Sequence, residues 1–237
     1  RSHRTSKDRE LINWNEESAY VSILVGRDRL DKTIDINILK DGKKAIRINK
    51  IKASKIGELF GNFNVVMFSP EDLRIIKDSP GVRRKFIDME LCQLDSRYYY
   101  NLVQYNKVLN ERNMLLKSRK VDNDILDIYD IQLANFGYNI IKERLNYINK
   151  LNFYGKNIHK DISSGREDIE FKYVSTIKNL ENIEDSFYEQ LKRNRTKDME
   201  KGLTSVGPHR DDFIVLINDI DTKSYGSQGQ QRSAVLT

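Results

Sequence analysis

Cysteine, proline and tryptophan are scarce in this chain. One cysteine, Cys92, in 237 residues excludes an internal disulfide and fits a reducing compartment. There are three prolines, with none between Pro80 and Pro208, so no proline breaks a helix over that whole stretch. No run of about 18 apolar residues occurs, so no segment reads as a membrane-spanning helix. The opening Arg1-Ser2-His3-Arg4 has no apolar stretch behind it, which argues against a signal peptide, and the missing initiator methionine points to a fragment. A cytoplasmic protein is expected. No Gly-x-x-x-x-Gly-Lys-[Ser/Thr] loop occurs either; Gly42-Lys43-Lys44 lacks the upstream glycine and the hydroxyl. What the chain has in quantity is charge: 41 basic and 35 acidic residues, a net +6, with 38% hydrophobic content. That balance allows a core under a heavily charged surface. It fits nucleic-acid contact and fits a lysine-rich bias equally well.

Hydrophobic period divides the chain into regions. Residues 17–50 read as strands: Tyr20, Ser22 and Leu24 alternate with Val21, Ile23 and Val25, then Ile34, Ile36 and Ile38 share a face. Asp41-Gly42 marks a hairpin before Ala45–Ile48. A short helix is predicted over Ser54–Phe60 and a compact apolar strand over Asn64–Phe68. Ser69-Pro70-Glu71-Asp72 and Ser79-Pro80 read as helix starts. Helical spacing runs from about 82 to 118 (Phe86, Leu91, Leu94, Leu102, Tyr105, Leu109, Leu115). It resumes from about 123 to 151 (Ile125, Ile128, Leu133, Ile140, Ile148), predicting two long helices with a polar link near Lys117–Asn123. Asp168–Val174 and Asp212–Ile217 read as strands, the second closed by Asn218-Asp219, and Glu184–Lys197 as a helix. Strands, helices, then strands again predict one α/β domain interrupted by a helical arm.

Three segments carry candidate chemistry. Ser227-Gln228-Gly229-Gln230 stands where a tight turn enters a helix. Such a start offers unpaired N–H groups and the positive end of the helix dipole, an anion site for which phosphate is the usual occupant. Ser227 can cap and donate, and Gly229 admits close approach of a ligand to the backbone. Arg83, Arg84 and Lys85 lie in the first turns of a helix, the wrong end for cations. They need acidic neighbours, such as Asp88 or Glu90, an internal pair fixing the arm, or an anionic partner. Gly207-Pro208-His209-Arg210-Asp211-Asp212 packs a histidine, an arginine and two aspartates together. It reads either as catalytic machinery, with His209 as base and the aspartates on a metal, or as a turn in which His209 and Asp211 cap backbone groups and Arg210 pairs with an acid. Adjacent carboxylates entering a strand point to opposite faces, which argues against a self-contained metal site. The apolar Phe213–Ile217 ends in Asn218-Asp219, which fits a hairpin turn better than a Walker B acid. Trp14 and Tyr98–Tyr100 read as base-stacking residues or, more ordinarily, as packing.

Ser-x-Gly-Gln at 227–230 resembles the signature motif of ABC-type ATPases. With Phe68–Asp72 through Arg83-Arg84-x-Phe86-Ile87-Asp88, and Gly207–Asp212, it makes the whole chain resemble the RecF family of bacterial DNA replication and repair proteins. Glu111-Arg112-Asn113-x-Leu115-Leu116-Lys117 resembles that family's arm helix, and Arg1–Thr5 the stretch after its P-loop helix. Asp78 departs from the family's usual glycine before Ser-Pro. The resemblance implies an α/β (α+β) ABC-type ATPase head lobe interrupted by a helical arm insertion. The core would comprise 1–77 and 201–237 and the arm 78–200, with the P-loop before Arg1 and the Walker B strand after Thr237. It implies ATP with Mg as cofactor, held by residues outside this stretch, so that the stretch alone is inactive and contains no catalytic residue. Ser227, Gln228, Gly229 and Gln230 would reach ATP in trans. Ser69, Glu71 and Asp72 would be Q-loop-like, and Arg83, Arg84 and Lys85 would meet DNA or the arm. Expected partners are single-stranded and junction DNA, RecO and RecR in loading RecA, and a second copy on ATP, in a setting of gap repair and the SOS response. A non-enzymatic helical adaptor binding DNA or protein is the alternative, and a metal phosphohydrolase using His209, Asp211 and Asp212 a distant third.

Overall fold

The computed structural model describes residue 5 and residues 7–26, 31–118 and 121–237; the resemblance noted at residues 1–4 lies outside them. By its contacts the chain forms two compact units, Arg1–Glu71 and Asp72–Thr237.

The first unit is an antiparallel meander of β1 (Ser18–Val25), β2 (Lys32–Leu39), β3 (Lys44–Ile48) and β4 (Ile51–Lys52), paired in that order. Alternation sets the register: Ile34 lies opposite Ile48 and Ile36 opposite Ile46, and Ile34, Ile38 and Ile46 are buried with Ile12. Gly42 adopts φ +85° at the predicted hairpin, and the next reversal uses two left-handed residues, Asn49 and Lys50. Over 54–60 only a 3-10 turn forms, Ile56–Leu59. The predicted strand at 64–68 is corrected: no strand forms there, and Val66, Met67 and Phe68 are exposed. Apolar β-branched composition favours a strand only where a neighbouring ladder and a cover exist.

The second unit is mainly helical. It runs α1 (Arg74–Lys77), α2 (Pro80–Leu94), α3 (Ser96–Leu116), α4 (Asn123–Ser163), β5 (Ile169–Val174), α5 (Ile183–Arg193), α6 (Arg195–Lys201), β6 (Asp212–Ile217), β7 (Ile220–Asp221), α7 (Thr222–Tyr225) and α8 (Gln228–Leu236). The helix predicted over 82–118 is two helices. Asp95 takes an extended conformation, and its carboxylate caps α3 by accepting from the Arg97 N–H. The capping signal Asp-Ser overrides a continuous apolar stripe because it satisfies orphan N–H groups. Helix α4 outruns its prediction by a dozen residues and spans about 60 Å at 1.5 Å per residue. It ends where Ser164 and Gly165 adopt left-handed φ of +54° and +73°. Arg112 meets Asp130 while the earlier Tyr98 meets Arg144, so α3 and α4 run antiparallel. Strands β5, β6 and β7 form an antiparallel sheet, with Asn218 and Asp219 both left-handed in the reversal predicted for them.

Two features lock this unit. Phe187 of α5 is fully buried between two glycines: a Cβ at Gly137 would sit 2.4 Å from its ring, and one at Gly207 2.5 Å. Arg112, also fully buried, donates to Asp130 at 2.7 Å, to Asp198 at 2.9 Å and to the Thr204 hydroxyl at 2.8 Å. Arg195 adds a second cation on Asp130 at 2.6 Å. Among the described residues no helix is long and apolar enough to cross a membrane. Because both carboxylates on Arg112 are out of water, Arg112→Ala leaves them poorly neutralised and is expected to cost about 3–5 kcal/mol in urea unfolding. A loss below about 1 kcal/mol would show that Arg195 and solvent suffice.

Candidate functional site

Strand β7 leads through Asp221, which caps α7, to Gly226, where a Cβ would lie 2.5 Å from the Thr222 carbonyl oxygen. Glycine at 226 is therefore required by the turn itself. The next residue, Ser227, opens α8 with a reciprocal capping box. Its hydroxyl accepts from the Gln230 N–H at 3.2 Å, and its own N–H donates to Gln230 Oε1 at 2.9 Å. Ser227, Gln228 and Gly229 are exposed. A Cβ at Gly229 would meet only Ser227 Oγ, at an ordinary 3.7 Å. Internal packing thus does not require glycine at 229, in contrast to 226. The cap engages the Gln230 N–H, and the N–H groups of Gln228 and Gly229 stand at the same exposed helix end. The end accommodates a phosphate: N–H groups converge there, the helix dipole is favourable, and no side chain grows from Gly229.

The arginine-rich segment of α2 meets the 207–212 turn. Arg83 is buried and forks onto Asp212 with Nε and Nη2 at 2.6 and 2.7 Å. Its Nη1 donates to the Asp78 and Ile75 carbonyls at 2.9 and 3.2 Å, closing the end of α1. Arg84 donates to the Asp211 carbonyl at 2.7 Å, and Lys85 is exposed. The Asp211 carboxylate is buried and accepts from the Tyr173 hydroxyl and from the N–H and hydroxyl of Thr176, each at 2.7 Å. Arg144 of α4, buried, donates to the Pro208 carbonyl at 2.7 Å and to Asp88 at 2.8 Å.

A scan against protein-family models finds no match. Among curated proteins, the DNA replication and repair proteins RecF of Clostridium perfringens and of Clostridium botulinum are each 65% identical over all 237 residues. The same protein of Clostridium beijerinckii is 65% identical over 239 aligned positions. The chain is a RecF homologue along its whole length. It spans 66% of the length of the first two relatives, just under two thirds. Two solved structures, of the recombination mediator protein RecF-ATP and of RecF-ATPrS in the RecFOR pathway, are 39% identical and cover the whole chain, with TM-scores of 0.92 and 0.89. The helices with antiparallel sheets match that RecF head fold, as the sequence led us to expect.

In this RecF homologue the 207–212 cluster is committed internally. The His209 Nε2 contacts the Thr204 carbonyl at 3.0 Å and its Nδ1 the Tyr105 hydroxyl at 2.7 Å, so Nε2 carries the hydrogen and Nδ1 accepts. The turn reading is corrected at Arg210, which donates to the Thr204 carbonyl and not to an acid. Asp211 and Asp212 turn to different partners, and among the described residues no group of three or more His, Cys, Asp or Glu side chains can hold a metal. Ser69 is buried, Glu71 exposed and Asp72 half-buried, with Pro70–Leu73 in a 3-10 turn. Tyr98 is core, while Trp14 and Tyr100 are exposed. Sequence reasoning missed Arg112 and Arg144 as structural cations and missed Glu167, which accepts from Gln230 Nε2 at 3.0 Å. None of the three carries a local spacing signal.

Burial, reinforced by the charges of Arg210, Arg84 and Arg112 against the bond to Thr204, pulls the His209 pKa down from 6.5 to about 4. The folded state then takes up a proton later than the unfolded one as pH falls. Stability is therefore full above pH 6.5 and falls as pH drops toward 4, by up to about 3 kcal/mol for this group. His209→Gln, whose amide keeps one donor and one acceptor, is expected to flatten that part of the stability profile in urea titrations between pH 7 and 4. An unchanged profile would assign the acid sensitivity elsewhere.

Proposed function

We propose that this chain is the central part of an ATP-dependent DNA-binding protein of replication-gap processing and recombinational repair. Its Ser227–Gln230 signature closes over a nucleotide held by a second copy. The supporting observation is the α8 entrance: an exposed capped helix start with a glycine at 229 that internal packing does not explain. The RecF homologues, and the RecF-ATP structure among them, support the same reading.

In this reading residues 1–77 and 201–237 belong to the ATPase core and 78–200 to an arm. The Arg83–Asp212 fork ties arm helix α2 to core strand β6, and the Arg84 bond to the Asp211 carbonyl ties it to the residue before that strand. The exposed Lys85 is left for DNA, whereas Arg83 acts within the protein. ATP, with Mg, is bound through residues outside 1–237. The chain's own contribution is recognition. Ser227 Oγ can donate its hydrogen to a phosphate oxygen while still accepting from the Gln230 N–H, and the Gly229 N–H is exposed beside it. Anion contact across two copies makes ATP the link between them, so binding energy at α8 becomes dimerisation energy. The dimer would clamp single-stranded and junction DNA and act with RecO and RecR to load RecA, serving gap repair and the SOS response in the cytoplasm.

The test uses the full-length protein and light scattering with and without ATP. Wild type is expected to dimerise on ATP. Ser227→Arg is expected to bind ATP yet remain monomeric, because the side chain fills the anion site. If Ser227→Arg dimerises as well as wild type, α8 does not act in trans.

A further inference from the structure

Gln230 is held from behind. Its Oε1 accepts from the Ser227 N–H while its Nε2 donates to Glu167 Oε1 at 3.0 Å. The second Glu167 oxygen lies 3.3 Å from His159 Nε2, and His159 is fully buried on α4. The other imidazole nitrogen, Nδ1, lies 2.8 Å from the Thr237 hydroxyl, at the far end of α8. Helix α8 is thus attached to the end of α4 at both its extremities, through one histidine and one carboxylate. Packing agrees with the polar contacts: a Cβ at Gly155 of α4 would come within 3.2 Å of Thr237 Cγ2 and of the Phe171 ring.

The Glu167 contact has a specific consequence for the cap. A glutamine amide can present either its oxygen or its NH2 to a given partner. With Glu167 accepting from the NH2, only the oxygen faces the Ser227 N–H, so the capping box forms in one sense. Glu167 reaches this place because α4 ends in the left-handed pair Ser164 and Gly165, which reverses the chain within a few residues. Nothing in the α8 sequence itself supplies this restraint.

We propose that Glu167 is a positioning residue for the Ser227–Gln230 signature, anchored by His159, and that it ties the geometry of the signature to the end of the arm helix α4. This rests on the proposed trans role of α8. Removing Glu167 frees the Gln230 amide to rotate and loosens the cap, while the protein's own nucleotide site is left intact. An N-terminal cap is worth about 1 kcal/mol, so loss of its restraint is expected to change cap-dependent equilibria by roughly three- to tenfold.

Full-length wild type, Glu167→Ala, Glu167→Gln and Ser227→Arg are compared by hydrogen exchange of the Gln230 amide without nucleotide, by ATP affinity of the monomer, and by ATP-dependent dimerisation. Glu167→Ala is expected to speed Gln230 exchange and weaken dimerisation by roughly three- to tenfold each, with unchanged ATP affinity and a cooperative unfolding transition. Glu167→Gln, which keeps an acceptor oxygen for Gln230, is expected to recover most of both. Unchanged exchange or unchanged dimerisation in Glu167→Ala, with Ser227→Arg still monomeric, overturns the positioning role and leaves the trans reading standing. If Ser227→Arg itself dimerises normally, the trans reading fails, and exchange alone then reports whether Glu167 holds the cap.

Discussion

Burial of the Arg112 guanidinium between Asp130 and Asp198 is the constraint on which the helical unit depends. A charge taken wholly out of water tolerates few arrangements. Its partners must arrive together, and here they come from α4, from α6 and, through Thr204, from the segment entering the 207–212 turn. The same logic recurs at Arg144, which joins α2, α3 and α4 to Pro208, and at Arg83, which joins α2 to β6 and closes the end of α1. Three arginines therefore specify how the helices meet the 207–212 turn and the segment that enters it, where apolar packing alone would tolerate sliding.

That arrangement gives the 207–212 motif its meaning. A histidine, an arginine and two aspartates in six residues look like chemistry when written out in line. Folded, His209 spans Tyr105 and Thr204, Asp211 gathers hydroxyls from β5 and the residues after it, and Asp212 holds Arg83. The side chains of His209, Asp211 and Asp212 are all engaged by the protein, so the motif is a joint. The α8 entrance is the opposite case: Gly229 lacks an internal reason and the surrounding residues are exposed. Between two motifs of similar density, satisfaction of hydrogen bonds separates the structural one from the candidate ligand site.

What was legible in the sequence was local. The Ser227 cap with Gln230 three residues on, the Asn218-Asp219 reversal and the long α4 stripe all follow from contacts within a few residues, which propensity and period encode. The partner of Arg83 lies 129 residues away and that of Gln230 63 residues away, and no spacing rule reaches so far. The break at Asp95 is masked in the sequence, because a continuous apolar stripe runs across its capping signal. At 64–68 composition speaks for a strand, while only a neighbouring strand can make one.

The central claim is that α8 meets a nucleotide belonging to another copy. The most direct measurement is the structure of the full-length protein bound to ATP. The account predicts Ser227 Oγ and the Gly229 N–H about 3 Å from a phosphate oxygen of nucleotide held by the second protomer, with Gln230 still on Glu167. A dimer in which α8 faces solvent, or a nucleotide bound in a lone protomer with α8 remote from it, would contradict it.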